Sequence, residues 1–353
     1  MRKSTIFWLL GALALGAVAA LLVYQHWKTR DLNAGREGML ALMPEEASAV
    51  IYADFAELRS SPFFAQLLKW APEPTVDRDY AQFLQSTGFN YERDLDRVAL
   101  AVHHQQQNST VFAVAEGRFD RKKIEAYASQ FGSLKTADGK TLFAVPLRET
   151  NRKAYFTFLR SDRIAWSNDS SDFFQQPRSD ASKTWREHFS RVAGTPVFAV
   201  LRQEGGDGTM LAAQAPGNLH SPQLATLLAQ LQWISMSAKP EGNLLRVAVE
   251  GECLSESTEH QLKDLLSGLV VLAQMGLSDP KTRKELDPGL REGYLELLQS
   301  ADIQQVDRGT SKTVRVVFDV TPKVLESAGM TVTSADPAAP KAEPKDGRKS
   351  PIR

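Results

Sequence analysis

Two stretches, VFAVAEGRFDRKKIEAY at Val111–Tyr127 and LRVAVEGECLSESTEHQL at Leu245–Leu262, decide how the chain is organised. Each opens on an apolar run rich in β-formers, breaks at Glu-Gly (Glu116-Gly117 and Glu250-Gly251), and sets an Asp or Ser ahead of a helical pattern. Branched and aromatic side chains suit a pleated, half-buried surface, glycine interrupts it, and Asp120 or Ser255 can accept from the free N–H groups of a first helical turn. The correspondence extends upstream. Ala49–Ala53 and Pro196–Leu201 are short apolar runs, and each is followed by a Ser-Pro helix start: SPFFAQLLKW at Ser61–Trp70 and SPQLATLLAQLQW at Ser221–Trp233. Serine caps, and proline with its fixed φ suits the first helical position. An internal duplication is therefore expected.

The intervening sequence fills out both copies. In the first, a helix over Asp77–Thr87 stops at Gly88, Val98–Val102 and Thr110–Ala115 form a hairpin, and Asp120 caps a helix through Phe131. Lys135–Pro146 and Lys153–Trp166 read as further hairpins, with turns at Asp138-Gly139 and Ser161-Asp162, and Asn168–Arg191 as polar pieces of helix. In the second, Trp233–Ala238 pairs with Leu244–Val249, a helix covers Ser255–Met275, and Asp279-Pro280 opens helix as far as Gln299. Ala301–Val306 and Thr313–Val320 form a last hairpin, and Pro322 starts a short closing helix. The class is α+β: two similar modules, 44–192 and 193–330, of antiparallel hairpins or meander with helices on one face of each sheet.

Ahead of the modules lies IFWLLGALALGAVAALLVY, Ile6–Tyr24, nineteen residues without a charge. As a helix it would reach about 28 Å, close to the roughly 30 Å hydrocarbon core of a bilayer. Trp8, Tyr24 and Trp27 sit near its ends, where aromatic rings favour the interface. The reading is a signal anchor with residues 1–5 in the cytoplasm and 25–43 as a polar linker; the competing reading is a signal peptide cut after Ala17-Val18-Ala19. Arg2 and Lys3 favour an N-in orientation against Lys28, Arg30 and Arg36, which places the bulk of the chain in the periplasm of a bacterial inner membrane. From Thr331 the sequence TVTSADPAAPKAEPKDGRKSPIR offers almost nothing to bury and reads as a disordered tail over 331–353.

Lys+Arg and Asp+Glu are equal at 42 each, so no net field attracts nucleic acid. The single cysteine, Cys253, excludes an internal disulfide and CxxC chemistry. It shares a strand face with Leu245, Val247, Val249 and Gly251 and reads as a small buried residue. His103-His104 point to opposite faces of a strand, and His26, His188, His220 and His260 form no metal-ligand spacing. Gly205–Gly208 (GGDG) lacks the Gly-Lys-Ser/Thr end of a phosphate loop, and Ser278–Lys281 matches SxxK only by letter. Arg93, Asp94, Asp96 and Arg97 alternate in sign as a solvated ion-pair surface does; Arg121-Lys122-Lys123 is a small basic cluster, and Phe63, Phe64, Trp70, Tyr80 and Phe83 fall at helical spacing as core. No catalytic residue, cofactor or metal is expected.

Pro44-Glu45-Glu46-Ala47-Ser48-Ala49-Val50 with Asp54, placed shortly after an N-terminal anchor, resembles uncharacterised bacterial envelope proteins that carry one span and a duplicated α+β region of unknown function. The resemblance implies no catalytic residue. The expectation is a membrane-tethered extracytoplasmic module that binds a partner protein or envelope component. The rival readings are an envelope hydrolase with a site assembled from distant residues, and a small-ligand carrier with a cavity between sheet and helices.

Overall fold

Apolar strand runs pair antiparallel throughout, and they make one sheet where two were expected. The computed structural model describes residues 35–65, 78–105, 108–137, 140–146, 153–169, 182–203, 226–280, 282–309 and 311–325. The stretch expected as an anchor, Ile6–Tyr24, the Gly205–Gly208 loop and the residues from Thr331 expected as a tail lie outside them. The strands are β1 Ala49–Asp54, β2 Leu95–Gln105, β3 Asn108–Gly117, β4 Ser133–Ala137, β5 Lys140–Pro146, β6 Lys153–Arg160, β7 Arg163–Ser167, β8 Val197–Arg202, β9 Leu231–Glu241, β10 Leu244–Cys253, β11 Asp302–Asp307 and β12 Lys312–Val320. Their order across the sheet is β11-β12-β10-β9-β8-β1-β2-β3-β7-β6-β5-β4.

The first strands of the two sequence copies meet at the centre. β1 pairs with β8, with Tyr52 directly opposite Phe198 and their rings stacked at 5.2 Å. From that pair outward the neighbours correspond: β2, β3, β7, β6 on one side and β9, β10, β12, β11 on the other. The register corresponds as well. Glu116 of the first Glu-Gly lies opposite Arg163, and Glu250 of the second lies opposite Arg315. The hairpin of β4 and β5 extends the first half alone.

Among the described residues the helices include α1 Phe55–Arg59, α2 Arg78–Thr87, α3 Tyr91–Asp94, α4 Arg121–Phe131, α5 Ser182–Arg191, α6 Glu256–Ser278, α7 Thr282–Glu285 and α8 Pro288–Gln299. Asp120 and Ser255 cap α4 and α6 as read, accepting from Lys123 N and Thr258 N. Other boundaries differ. Asp279 closes α6, and it is the second Asp-Pro, Asp287-Pro288, that caps α8. The helix expected to run to Trp233 gives way to β9 at Leu231, because Leu231, Ile234 and Cys253 are needed in the core under α6. Short α1 and α3 follow Asp54 and Asn90, whose carboxylate and amide oxygens cap them over single turns too short to show a helical period.

Helices also occupy both faces, not one. Alternation puts Val50, Tyr52 and Asp54 on one side of β1, with α5 and residues 35–43 packed over them. α6 packs on the opposite face, against Ile234, Cys253 and Val314. Residues 35–43, expected as polar linker, belong to the core: Met39 and Leu40 are buried, and Leu42 and Met43 pack against the same cluster. The sequence there, GREGMLALM, ends in five consecutive apolar residues, Met39–Met43.

Candidate functional site

A row of alternating charge crosses the sheet beneath residues 35–40. Register brings Asp54 of β1, Arg97 of β2, Glu116 of β3 and Arg163 of β7 side by side on one face. Arg97 donates through Nε to Asp54 at 2.9 Å and through Nη1 to Glu116 at 3.1 Å, and Arg163 Nε donates to the other Glu116 oxygen at 2.8 Å. All four side chains are largely removed from water. Charges so placed persist only when paired and hydrogen-bonded, and two acids against two bases leave the row neutral.

The segment that covers this row is shaped for it. A Cβ at Gly35 would lie 2.8 Å from Arg97 Nη1, and one at Gly38 would lie 3.6 Å from Arg163 Nη1. Between them Arg36 lays its guanidinium over the Tyr52 and Phe198 rings, 5.0 and 4.8 Å from their centroids, and donates to the Val192 carbonyl at 3.1 Å. Burial lowers the Arg36 pKa from its usual value and raises that of Tyr52. The chain thus enters the fold at the Asp54 end of the sheet, bolted down by a cation over the central ring pair.

A second cluster joins α5 to β9 and β10. Arg191 donates to Glu252 at 2.8 Å, and His188 stacks on Trp233 with ring centroids 3.9 Å apart. His188 Nδ1 is 3.9 Å from Glu252, beyond hydrogen-bond reach. Burial first, then Arg191, lowers the His188 pKa below its ordinary 6.5, against the opposing pull of Glu252 and Glu187. The unfolded chain therefore takes up this proton first as pH falls. Stability contributed by neutral His188 is complete above pH 6.5 and is lost below it, down through the lowered folded value. Urea midpoints should fall from pH 7.5 to pH 5, and His188→Gln should flatten that fall; an unchanged slope in the variant would remove His188 from the account.

The other sequence candidates disperse. His103 and His104 sit near the end of the β2–β3 hairpin, His103 against the Glu46 carbonyl and His104 2.9 Å from Ser109 Oγ. Asp94 accepts from Arg93 and from Asn90 N, and those hydrogen bonds hold its carboxyl well below the usual range. Asp96 pairs with Arg59, not with its sequence neighbours. Arg121 pairs with Glu125 on the exposed side of α4. Cys253 is buried, and burial pushes its thiol up to about 11. Phe63 is buried, and Phe83 packs edge-on against Tyr127 of α4. Ser278 and Asp279 end α6; Lys281, Trp70 and the Gly205–Gly208 loop lie outside the described residues. Among the described residues no three of His, Cys, Asp and Glu are grouped to hold a metal ion.

Among the described residues, α6 presents the most exposed cluster of apolar side chains. Leu262, Leu265, Leu266 and Leu269 face the core. At about 100° per residue, Val271 and Met275 fall roughly opposite Leu262 and Leu269, and Val271, Leu272 and Met275 are 53, 64 and 65% exposed. The sequence signal was present in LLSGLVVLAQMGLS, residues 265–278, which carry no charge at all. A helix apolar on all sides ordinarily has neighbours on all sides.

No model of a known protein family matches the chain, and no curated protein does. Among solved structures, crystal form III of TP0453 aligns with a TM-score of 0.41 at 11% identity, over 84% of this chain and 98% of that one. Form IV aligns with a TM-score of 0.40 at 9% identity, over 84% and 96% of the two chains. At that degree of likeness nothing about function passes from TP0453 to this chain.

Proposed function

We propose that this chain is a membrane-tethered extracytoplasmic binding module of a bacterial inner membrane, built from two copies of one α+β unit. The observation that carries the binding role is the outward apolar stripe Val271, Leu272 and Met275 on a helix already packed along its inner side. Large exposed apolar surface on a folded body marks an interaction site. The buried ionisable groups support the same reading, since Asp54, Arg97, Glu116 and Arg163 are engaged with one another as framework. The charge-free Ile6–Tyr24 supports the tether, and the matching Glu116–Arg163 and Glu250–Arg315 rows support the duplication.

Membranes from cells producing the full chain test tether and topology. The protein is expected to resist alkaline carbonate extraction, and protease added to spheroplasts is expected to digest the body. Release by carbonate, or protection of the body in intact spheroplasts, overturns the reading.

A further inference from the structure

The apolar stripe on α6 lies at a defined end of the sheet, and the connections that place it are continuous. Asp54, at the end of β1 where residues 35–40 enter, donates its backbone N–H to the Pro196 carbonyl at 2.7 Å. In the next strands Lys239 lies opposite Arg246, and Arg246 opposite Asp319, so these residues occupy the same end. Asp319 N donates to Ser300 Oγ at 3.0 Å, just past α8, and Gln274 Nε2 of α6 donates to the Leu298 carbonyl at 3.0 Å. Along the strands, the uncharged half of α6 therefore ends level with the point at which the chain enters from residue 34, though on the opposite face of the sheet.

Only residues 25–34 separate Gly35 from Tyr24, the last residue of the charge-free stretch. Ten residues span at most roughly 35 Å, so a spanning Ile6–Tyr24 holds this end of the body near the lipid surface. We propose that the C-terminal half of α6 rests in the interfacial layer of that bilayer, with Leu272 and Met275 among the acyl chains. This rests on the tethered reading above. The chemistry agrees from both directions. Fourteen residues without Asp, Glu, Lys or Arg offer a headgroup nothing to repel or attract, and the outward apolar side chains lose contact with water on entry. The charged half of the same helix, Glu256 to Asp264, points to the far end of the sheet, where water would remain.

The test uses the full chain in vesicles of phosphatidylethanolamine and phosphatidylglycerol. Leu272→Cys, Met275→Cys and, in the charged half, Ser257→Cys are each labelled with an environment-sensitive fluorophore; Cys253 stays, being buried and poorly ionised. Nitroxide-bearing lipid is expected to quench positions 272 and 275 at least twofold and to leave 257 unchanged. A chain that floats with the vesicles yet shows no quenching at 272 and 275 overturns the proposal and leaves the tether standing. A chain that fails to float overturns both. Protection of position 272 from aqueous thiol reagent in native membranes, without quenching in vesicles, assigns the stripe to a protein and also overturns the lipid contact.

Discussion

Glu116→Ala is expected to cost about 3–5 kcal/mol of folding stability, and Glu250→Ala, at the matching place in the other half, about 1 kcal/mol or less. The two glutamates occupy equivalent register positions and each faces an arginine on the next strand. They differ in what their removal strands. Glu116 is held between Arg97 and Arg163, and the Arg163 side chain is 10% exposed. Without Glu116, Arg163 keeps its charge in a place water hardly reaches, beneath residues 35–40. Glu250 is approached by Arg308 and Arg315, and Arg315 is 41% exposed, so either cation can turn to solvent when its partner is gone. Urea unfolding of the detergent-solubilised chain, side by side for the two variants, measures the difference. Equal losses would mean that the cover over the first row contributes no desolvation, and the role given to residues 35–43 would fall with it.

The same contrast shows what the sequence could disclose. Glu116-Gly117 and Glu250-Gly251 were visible as a repeat because the local pattern of strand, break and cap survives in both copies. The antiparallel α+β class and most strand positions followed from period-two runs and turn residues. Fusion into one sheet did not follow. It depends on β1 meeting β8 through Tyr52 and Phe198, a contact between residues 146 positions apart that no local period encodes. Residues 35–43 read as linker because the charges at Lys28, Arg30, Asp31, Arg36 and Glu37 outweigh the short apolar run Met39–Met43; only the fold shows that Arg36 spends its charge over two rings. Asp54, Arg97, Glu116 and Arg163 are scattered in the chain, and the alternation of Arg93, Asp94, Asp96 and Arg97 read as a solvated surface, whereas Asp94 is buried and Arg97 turns into the row. The outward side of α6 was legible as an uncharged run, but only packing tells which of its apolar residues are already satisfied.

Gly117→Ala is expected to destabilise by about 2–3 kcal/mol, and Gly251→Ala to change stability by less than about 1 kcal/mol. A Cβ on Gly117 would sit 2.3 Å from the Asp94 carbonyl oxygen and 3.2 Å from Leu95 Cα. Both are backbone atoms, at the junction of α3 with the irregular start of β2, and Arg118 N already donates to that same Asp94 carbonyl. Relief would require the strand end to move, and Glu116 would move with it, so the charged row would be disturbed by a methyl group that never touches it. At Gly251 the nearest atoms are the Leu231 side-chain carbons, at 3.1 and 3.2 Å. A leucine end can rotate away, and the lower chain entropy of unfolded alanine offsets part of the cost. Two glycines that look interchangeable in the sequence are thus held by different constraints, one by backbone and one by a yielding side chain. Thermal unfolding of both variants decides it. A small loss at Gly117 would show that the α3–β2 junction can shift freely, and the Asp54–Arg163 row could then no longer be treated as a rigid frame for the chain entering at Gly35.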